Sequence, residues 1–274
     1  MKKVMCKKVM KKFFSFKSFG PAGNISRMIR VHRHRLNCQM LRYTNGLVKG
    51  KRLKMQSILL VFKPKSFIMS LNLLSRYARV MMDRWLKIRE FIKKEMAGEQ
   101  IAGTDHLERA YEWCRKIGKE RGADIGILLT AALLHDIGVP IDRKKHYEAA
   151  LPKAGAFLVE LGLKEDEIKR ILHMIEAHSR YGGPTPQSLE AKILQDVDAI
   201  EYVGAVGLIR GIVRALHEGS FNGRIEDVPR LIDDLIKRVE GNFYTEEAKC
   251  IVEKRIAFLK LFSDRLKKEL SGEE

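Results

Sequence analysis

The first 80 residues of this 274-residue chain contain no aspartate and no glutamate. They hold 20 lysines and arginines, which leaves 32 basic and 34 acidic residues for positions 81–274. The net charge of +18 therefore belongs wholly to the first segment. Seven of the eleven methionines also precede residue 81, and the first acidic residue is Asp83. So abrupt a change of composition predicts two segments, 1–80 and 81–274, that differ in kind.

Three interpretations of segment 1–80 stay open. The favoured one is an over-extended reading frame, with the chain made in the cell beginning at Met81 or Met82, because a folded segment of this length almost always contains carboxylates. The second is a disordered basic arm that binds nucleic acid or an anionic surface. The third is a targeting presequence, since such presequences are also poor in acidic residues. A nucleic-acid partner is therefore expected only if this segment is real.

Long hydrophobic runs and paired cysteines are also lacking. The apolar stretch "GILLTAALL" at 126–134 falls well short of the roughly 18–20 residues that span a bilayer. The four cysteines include no CxxC pair, so the sequence predicts neither a zinc knuckle nor a disulfide framework. We therefore expect a cytoplasmic protein with no membrane-spanning helix.

Helical periodicity begins at residue 82 and continues to the end of the chain. In "MDRWLKIREFIKKEMAG" the apolar residues recur at helical spacing. "DIGILLTAALLHDIG" is apolar nearly all round, which is typical of a central buried helix. "PQSLEAKILQDVDAIEYVGAVGLIRGIVRAL" is another long, mostly apolar helical region, and amphipathic helices close the chain. We predict an all-α fold, a compact bundle of seven or more helices over 82–274.

The segment "AALLHDIG" ends an apolar helix on two adjacent polar side chains, His135 and Asp136. Burying such groups is costly unless they are paired or bound to a metal. His106 lies 29 residues before His135, and Asp198 lies 62 residues after Asp136, again in an apolar helix. Two imidazoles and two carboxylates suit a divalent transition metal and leave coordination positions for water and a substrate oxygen.

This order of residues resembles the HD superfamily of metal-dependent phosphohydrolases. The resemblance is carried by "DHLERAY", "TAALLHDIG" and "EAHSRYGGPTPQSLEAKILQDVDAIEYVGAVGLIR". It covers roughly residues 82–215, and the last stretch is most similar to the small bacterial and archaeal HD hydrolases. The family is all-α, which agrees with the helical periodicity. No GYP triplet follows His178, which disfavours a cyclic-dinucleotide phosphodiesterase of the HD-GYP type.

The resemblance implies a metal site and a reaction. The implied metal ligands are His106, His135, Asp136 and Asp198. His135 and Asp136 are the implied catalytic residues, with Asp136 both binding the metal and orienting the attacking water. Asp196 is a rival ligand in "QDVD"; the family pattern favours Asp198 and leaves Asp196 to support a ligand indirectly. Mn²⁺ is the first choice of metal, with Mg²⁺, Co²⁺, Ni²⁺, Fe or Zn²⁺ as alternatives.

Further side chains are candidates for the substrate phosphate because phosphoryl transfer depends on positioning and charge neutralisation. Some relatives use two extra histidines to hold a second metal. In this chain the corresponding residues are His146 and His178, and we expect them to line the phosphate site instead. The predicted substrate-binding residues are His146, His178, Lys145, Arg180 and Arg109.

The expected function is hydrolysis of a phosphate ester or anhydride of a nucleotide, or of a similar small molecule, by metal-activated water. Three alternatives are kept: a nucleic-acid-binding protein that uses the basic arm, a sensor on the same fold, and an oxygenase with a di-metal site. The amphipathic helices at the C-terminus are candidates for a homodimer face.

Overall fold

The computed structural model describes residues 82–241 and 243–273. The three interpretations of segment 1–80 fall outside this part of the chain. In chain order the helices are α1 (82–95), α2 (Thr104–Arg121), α3 (Ile125–Leu134), α4 (His146–Ala149), α5 (Leu151–Glu160), α6 (Glu165–Ala177), α7 (Leu189–Ile200), α8 (Gly204–His217), α9 (Val228–Lys237) and α10 (Glu246–Ser271), with a 3-10 turn at Ile225–Asp227 before α9. No strand occurs among these residues, and the all-α prediction is confirmed.

Helix α3 is the central element of the bundle. Its residues Ile127–Leu134 are all buried, and the helix packs against α2, α6 and α7. It begins at Asp124, whose carboxylate accepts a hydrogen bond from the backbone N–H of Ile127. The hydroxyl of Thr130 donates to the carbonyl of Gly126 at 2.8 Å, so the polar side chain within the helix is satisfied. The prediction of a central buried helix is confirmed.

The region predicted to be helical around residues 186–216 consists of two helices. Helix α7 ends at Ile200, and α8 begins at Gly204. Gly204 has a φ of +81°, in the left-handed region where a side chain is strained, and a Cβ there would lie 2.9 Å from Arg255 Cδ. Helix α8 therefore departs in a new direction and packs on α9 and α10.

A close backbone approach at Gly138 sets the relation between α3 and α4. A Cβ on Gly138 would lie 2.1 Å from the carbonyl oxygen of His146, so only glycine allows this separation. The turn after α3 is thereby held against the start of α4. As a result, His146 is brought to the same end of the bundle as His135 and Asp136.

None of the helices in the described ranges is long and apolar enough to cross a membrane. The expected absence of a membrane-spanning helix agrees with this finding for those ranges.

The core packing of α3 can be tested with a matched pair of leucines. Leu133 is fully buried, whereas Leu261 on α10 is 70% exposed. We expect Leu133→Ala to lower the free energy of unfolding by about 2–5 kcal/mol, because it leaves a cavity in the core. Leu261→Ala should change it by less than about 0.5 kcal/mol. Urea denaturation followed by circular dichroism measures both, and equal losses would contradict the central position of α3.

Candidate active site

The four predicted metal ligands converge at one end of α3. His106 lies in the first turn of α2, His135 and Asp136 directly follow α3, and Asp198 lies near the end of α7. The Nε2 atoms of His106 and His135 are 3.2 Å apart. Asp136 Oδ2 is 3.3 Å from His106 Nε2 and 3.5 Å from His135 Nε2. Asp198 Oδ1 lies 3.5 Å from the first of these nitrogens and 3.9 Å from the second.

These separations fit the coordination shell of one cation. Ligand atoms about 2.1 Å from an ion, in tetrahedral or octahedral geometry, are about 3.0–3.4 Å from one another. The His106, His135 and Asp136 ligand atoms all fall within reach of a single ion. Two buried carboxylates also need positive charge for compensation. The residues present therefore fit a divalent metal ion.

Three histidines of this region share one arrangement. In His135, His146 and His178, Nδ1 lies within hydrogen-bond distance of the backbone carbonyl oxygen three residues earlier. A carbonyl oxygen can only accept, so each Nδ1 carries the proton. When such a ring is neutral, its Nε2 is therefore unprotonated, and this is the form of histidine that binds a metal.

The carboxylate of Asp136 lies between two pairs of histidines. Its Oδ2 faces His106 and His135, whereas its Oδ1 lies 3.4 Å from the Nε2 atoms of both His146 and His178. The last two nitrogens are 3.1 Å apart. Asp136, His146 and His178 thus form a second group whose ligand atoms can reach one ion. The role of the two histidines in binding substrate stays a prediction beside this alternative.

The buried charges strongly perturb the pKa values of the cluster. Burial lowers the pKa of His135 to about 4. Burial and Arg210 oppose the protonation of His106, but its hydrogen bonds to carboxylates outweigh them and raise its pKa to about 10. Burial would raise the pKa of Asp198, yet the hydrogen bond from His106 holds it at about 2. In the metal-free protein His106 is therefore protonated at neutral pH, and a metal ion would have to displace this proton.

Asp196 has a different function from Asp198, although the two are neighbours in "QDVD". Its Oδ2 accepts hydrogen bonds from the backbone N–H of Thr245 at 2.7 Å and from the hydroxyl of the same residue at 2.8 Å. Its Oδ1 accepts from the backbone N–H of Tyr244 and from Arg180, both at 3.2 Å. Four donors thus occupy Asp196, which anchors the start of α10. This geometry favours Asp198 as the ligand.

The cationic residues predicted to bind substrate lie in several environments. Arg180 pairs with Asp196 and has its guanidinium carbon 4.3 Å from the centre of the Phe243 ring. Arg109 donates to Glu201 at 2.7 Å. Lys145 is exposed, with its ammonium 3.8 Å from Glu148. Of the five predicted substrate-binding residues, the structure brings His146 and His178 to the ligand cluster.

Glu201 is a residue of this region that the sequence analysis missed. It is 1% exposed, and its Oε2 lies 3.6 Å from Nδ1 of His106. Burial raises its pKa, but the nearby His106 ring and the pairing with Arg109 outweigh burial and lower the pKa to about 2. The spacing carried a signal, because Glu201 follows Asp198 by three residues and so lies on the same side of the chain.

Comparison with known proteins matches part of this chain to a family model and to two relatives. The family model of the HD domain matches residues 103–203. The uncharacterized protein YpgQ of Bacillus subtilis is 29% identical over 195 residues, which cover 68% of this chain and 93% of YpgQ. Ribonuclease Y of Desulforamulus reducens is 35% identical over 101 residues, 36% of this chain and 18% of that enzyme. The second match therefore covers only a small part of the ribonuclease.

Solved structures share the fold. A Lactobacillus plantarum protein superposes with a TM-score of 0.54 at 23% identity, over 69% of this chain and 98% of that chain. The crystal structure of Bacillus subtilis YpgQ in complex with ADP gives a TM-score of 0.52 at 24% identity, over 69% and 96% of the two chains. The chain therefore contains an HD domain at residues 103–203, and the resemblance to the HD superfamily is confirmed.

The two neighbouring aspartates provide a test of the ligand assignment. We expect Asp198→Asn to weaken Mn²⁺ binding at least about tenfold, because it removes a charged ligand. Asp196→Asn should leave Mn²⁺ affinity within about twofold and lower the free energy of unfolding by about 1–3 kcal/mol, because buried donors lose their charged acceptor. Calorimetric titration and urea denaturation measure the two properties. The reverse pattern would assign the metal to Asp196.

The pKa of His106 predicts the pH dependence of metal binding. Its folded pKa of about 10 exceeds the ordinary 6.5, so in the metal-free protein the protonated ring contributes its full stability below pH 6.5 and loses it as the pH rises through 10. A metal ligand must be unprotonated, so binding displaces this proton. We expect Mn²⁺ affinity to rise about tenfold per pH unit between pH 6 and 8. Calorimetry in buffers of different ionisation enthalpy counts the released protons, and a count of zero would contradict the expectation.

Proposed function

We propose that this protein is a metal-dependent phosphohydrolase that cleaves a phosphate ester or anhydride of a nucleotide, or of a similar small molecule. The observation that carries the proposal is the buried convergence of His106, His135, Asp136 and Asp198. An ion that prefers six ligands, such as Mn²⁺, would keep two positions for water and substrate beside two imidazoles and two carboxylates. The match to the HD domain supports the same reading.

The chemistry divides between the cation and the residues around it. A divalent cation supplies Lewis acidity, neutralising phosphoryl charge and lowering the pKa of water to about 7. Asp136, held between two histidine pairs, orients the attacking water toward phosphorus. His146 and His178 face Asp136 Oδ1 at 3.4 Å. In the imidazolium form, in which Nε2 also carries a proton, they are placed to donate hydrogen bonds to the phosphate. The leaving oxygen, which takes the electron pair of the cleaved P–O bond, would receive this proton.

A cleft beside His106 supports a substrate larger than phosphate. It has a volume of about 620 Å³, within the range of small-molecule sites. Its apolar wall includes Ile101, Val206 and Ile209, and Arg109 and Arg210 also line it. An apolar wall beside guanidinium groups suits a nucleoside phosphate. The complex of the related YpgQ with ADP supports the same substrate class.

The second group of candidate ligands supports an alternative in which the site holds two cations. Asp136 would bridge them, with His146 and His178 binding the second ion. A redox-active pair of ions would then open the oxygenase alternative. Mn²⁺ with a single ion remains our first choice. A cytoplasmic location and a homodimer also belong to the proposal, and the nucleic-acid alternative depends on a segment outside the described residues.

The decisive experiment measures phosphate and pyrophosphate release by the full chain. The substrates are nucleoside mono-, di- and triphosphates, each with Mn²⁺, Mg²⁺ or Co²⁺. We expect turnover that requires the metal and falls by about a thousandfold in Asp136→Ala, because a cation contributes several kcal/mol to transition-state stabilisation. The matched control is Asp264→Ala, at an exposed aspartate of α10, which should retain turnover.

The contrary outcomes identify the alternatives. A folded, metal-loaded protein that hydrolyses none of these substrates would contradict the proposal and favour a sensor. Consumption of oxygen by the iron-loaded protein would favour an oxygenase. The bound-metal stoichiometry of the wild type and of His178→Asn decides between one ion and two: a fall from two to one in the variant assigns the second ion to His178.

A further inference from the structure

His106 lacks the backbone acceptor that orients the other histidines of the cluster. In His135, His146 and His178 the Nδ1 atom meets the carbonyl oxygen three residues earlier. At His106 the corresponding carbonyl, that of Gly103, instead accepts the backbone N–H of His106 at 2.9 Å. His106 Nδ1 is buried and has no hydrogen-bond partner within the described residues. A buried ring nitrogen without a partner is unusual and needs an explanation.

The carboxylate of Glu201 is the acceptor that faces this nitrogen. Its Oε2 lies 3.6 Å from His106 Nδ1, and both side chains are 1% exposed. Its Oε1 is also buried without a hydrogen-bond partner in the described part of the chain. A movement of less than about 1 Å would bring the two groups to an ordinary hydrogen-bond distance. The His106 Nδ1–H group can thus donate, and the Glu201 carboxylate facing it can accept.

Arginines from three helices hold the Glu201 carboxylate in place. Arg109 of α2 donates to Oε2 at 2.7 Å. Arg210 of α8 lies 3.7 Å from Oε2, and Arg255 of α10 lies 3.8 Å from Oε1. Arg255 also donates to the carbonyl of Ile200 at 2.6 Å, which fixes the turn that carries Glu201. These contacts therefore hold the Glu201 side chain in one rotamer.

We propose that Glu201 is the positioning residue for His106. Its carboxylate accepts a hydrogen bond from the Nδ1–H group, which keeps the proton on Nδ1 and leaves Nε2 unprotonated and directed at the metal. The inference rests on the proposed metal site, because His106 is a ligand only in that proposal. A carboxylate that accepts the distal N–H of a ligating imidazole fixes the tautomer and increases the basicity of the ligand. Glu201 then does for His106 what backbone carbonyls do for the other three histidines.

The test compares Mn²⁺ affinity in the full chain, from the electron paramagnetic resonance signal of unbound Mn²⁺. We expect Glu201→Gln to raise the Kd for Mn²⁺ about 10–100-fold, the usual effect of losing such a partner. Glu190→Gln is the matched control, because it makes the same substitution at another buried glutamate, which lies at the start of α7 and accepts from the backbone N–H of Asp124 at 2.8 Å. Its thermal midpoint should fall while its Kd stays within about twofold of the wild type.

A spectroscopic readout separates positioning from general stability. In the Zn²⁺-loaded wild type, the Nδ1–H of His106 should give a proton resonance in a long-range ¹H–¹⁵N spectrum, assigned by its absence in His106→Gln. We expect Glu201→Gln to lose or strongly shift this resonance, whereas Glu190→Gln retains it. Should Glu201→Gln not fold, Glu201→Asp carries the same comparison, because it keeps the charge but reaches less far toward His106.

The possible failures can be told apart. A wild-type chain that binds no Mn²⁺ would overturn the proposed function, and this inference with it. A wild type that binds Mn²⁺, with an equal Kd in the Glu201 variant, would overturn the inference alone. Equal weakening in the Glu201 and Glu190 variants, in step with their thermal midpoints, would also overturn it and leave Glu201 a purely structural ion-pair partner.

Discussion

The burial of the Asp136 carboxylate is the constraint on which the rest of this structure depends. A carboxylate with 9% of its side chain exposed needs donors or cations on every side. Two pairs of histidines face it, one pair at each carboxylate oxygen, and each meets the need only with a protonated Nε2 or with a bound cation. Those histidines come from α2, the end of α3, the start of α4 and the end of α6. The ends of four helices therefore converge on the Asp136 carboxylate, and the other helices of the bundle pack around them.

The apolar character of α3 follows from the same constraint. A helix buried on all sides can be approached by α2, α6 and α7 together, and each of these carries a ligand candidate to its end. Gly138 then lets the start of α4 come close enough to bring His146. The two aspartates of α7, Asp196 and Asp198, have different roles although they are the same residue type. Asp198 faces the histidines, while Asp196 turns to the backbone and hydroxyl donors at the start of α10.

Positive charge is also divided between tasks. Arg180 and Arg109, which the sequence places near the ligand motifs, pair with buried carboxylates rather than standing unpaired at the ligand cluster. A buried guanidinium–carboxylate pair contributes little net stability but is costly to break. Such pairs therefore define the geometry of the helices that present the ligands. Glu201 is the clearest case, since three arginines and one candidate ligand share it.

Much of the fold was predictable from local pattern. The apolar run at 126–134 identified α3, because only a fully buried helix tolerates apolar residues on all its faces. The break before α8 escaped prediction, because a glycine in an apolar helical pattern does not reveal its φ. The His135–Asp136 pair and Asp198 were identified because they end or interrupt apolar helices, whereas His106 joined them through the resemblance to the HD superfamily.

By itself, then, the sequence determined the all-helical class, the central helix and the identity of the clustered histidines and aspartates. These follow from periodicity and from the cost of burying polar groups, which are local properties of the chain. Only the tertiary structure decided that Asp196 anchors α10, that Arg180 and Arg109 pair with carboxylates, and that Glu201 faces His106. Those outcomes depend on the directions in which helices distant in sequence pack, and a one-dimensional pattern does not contain these directions.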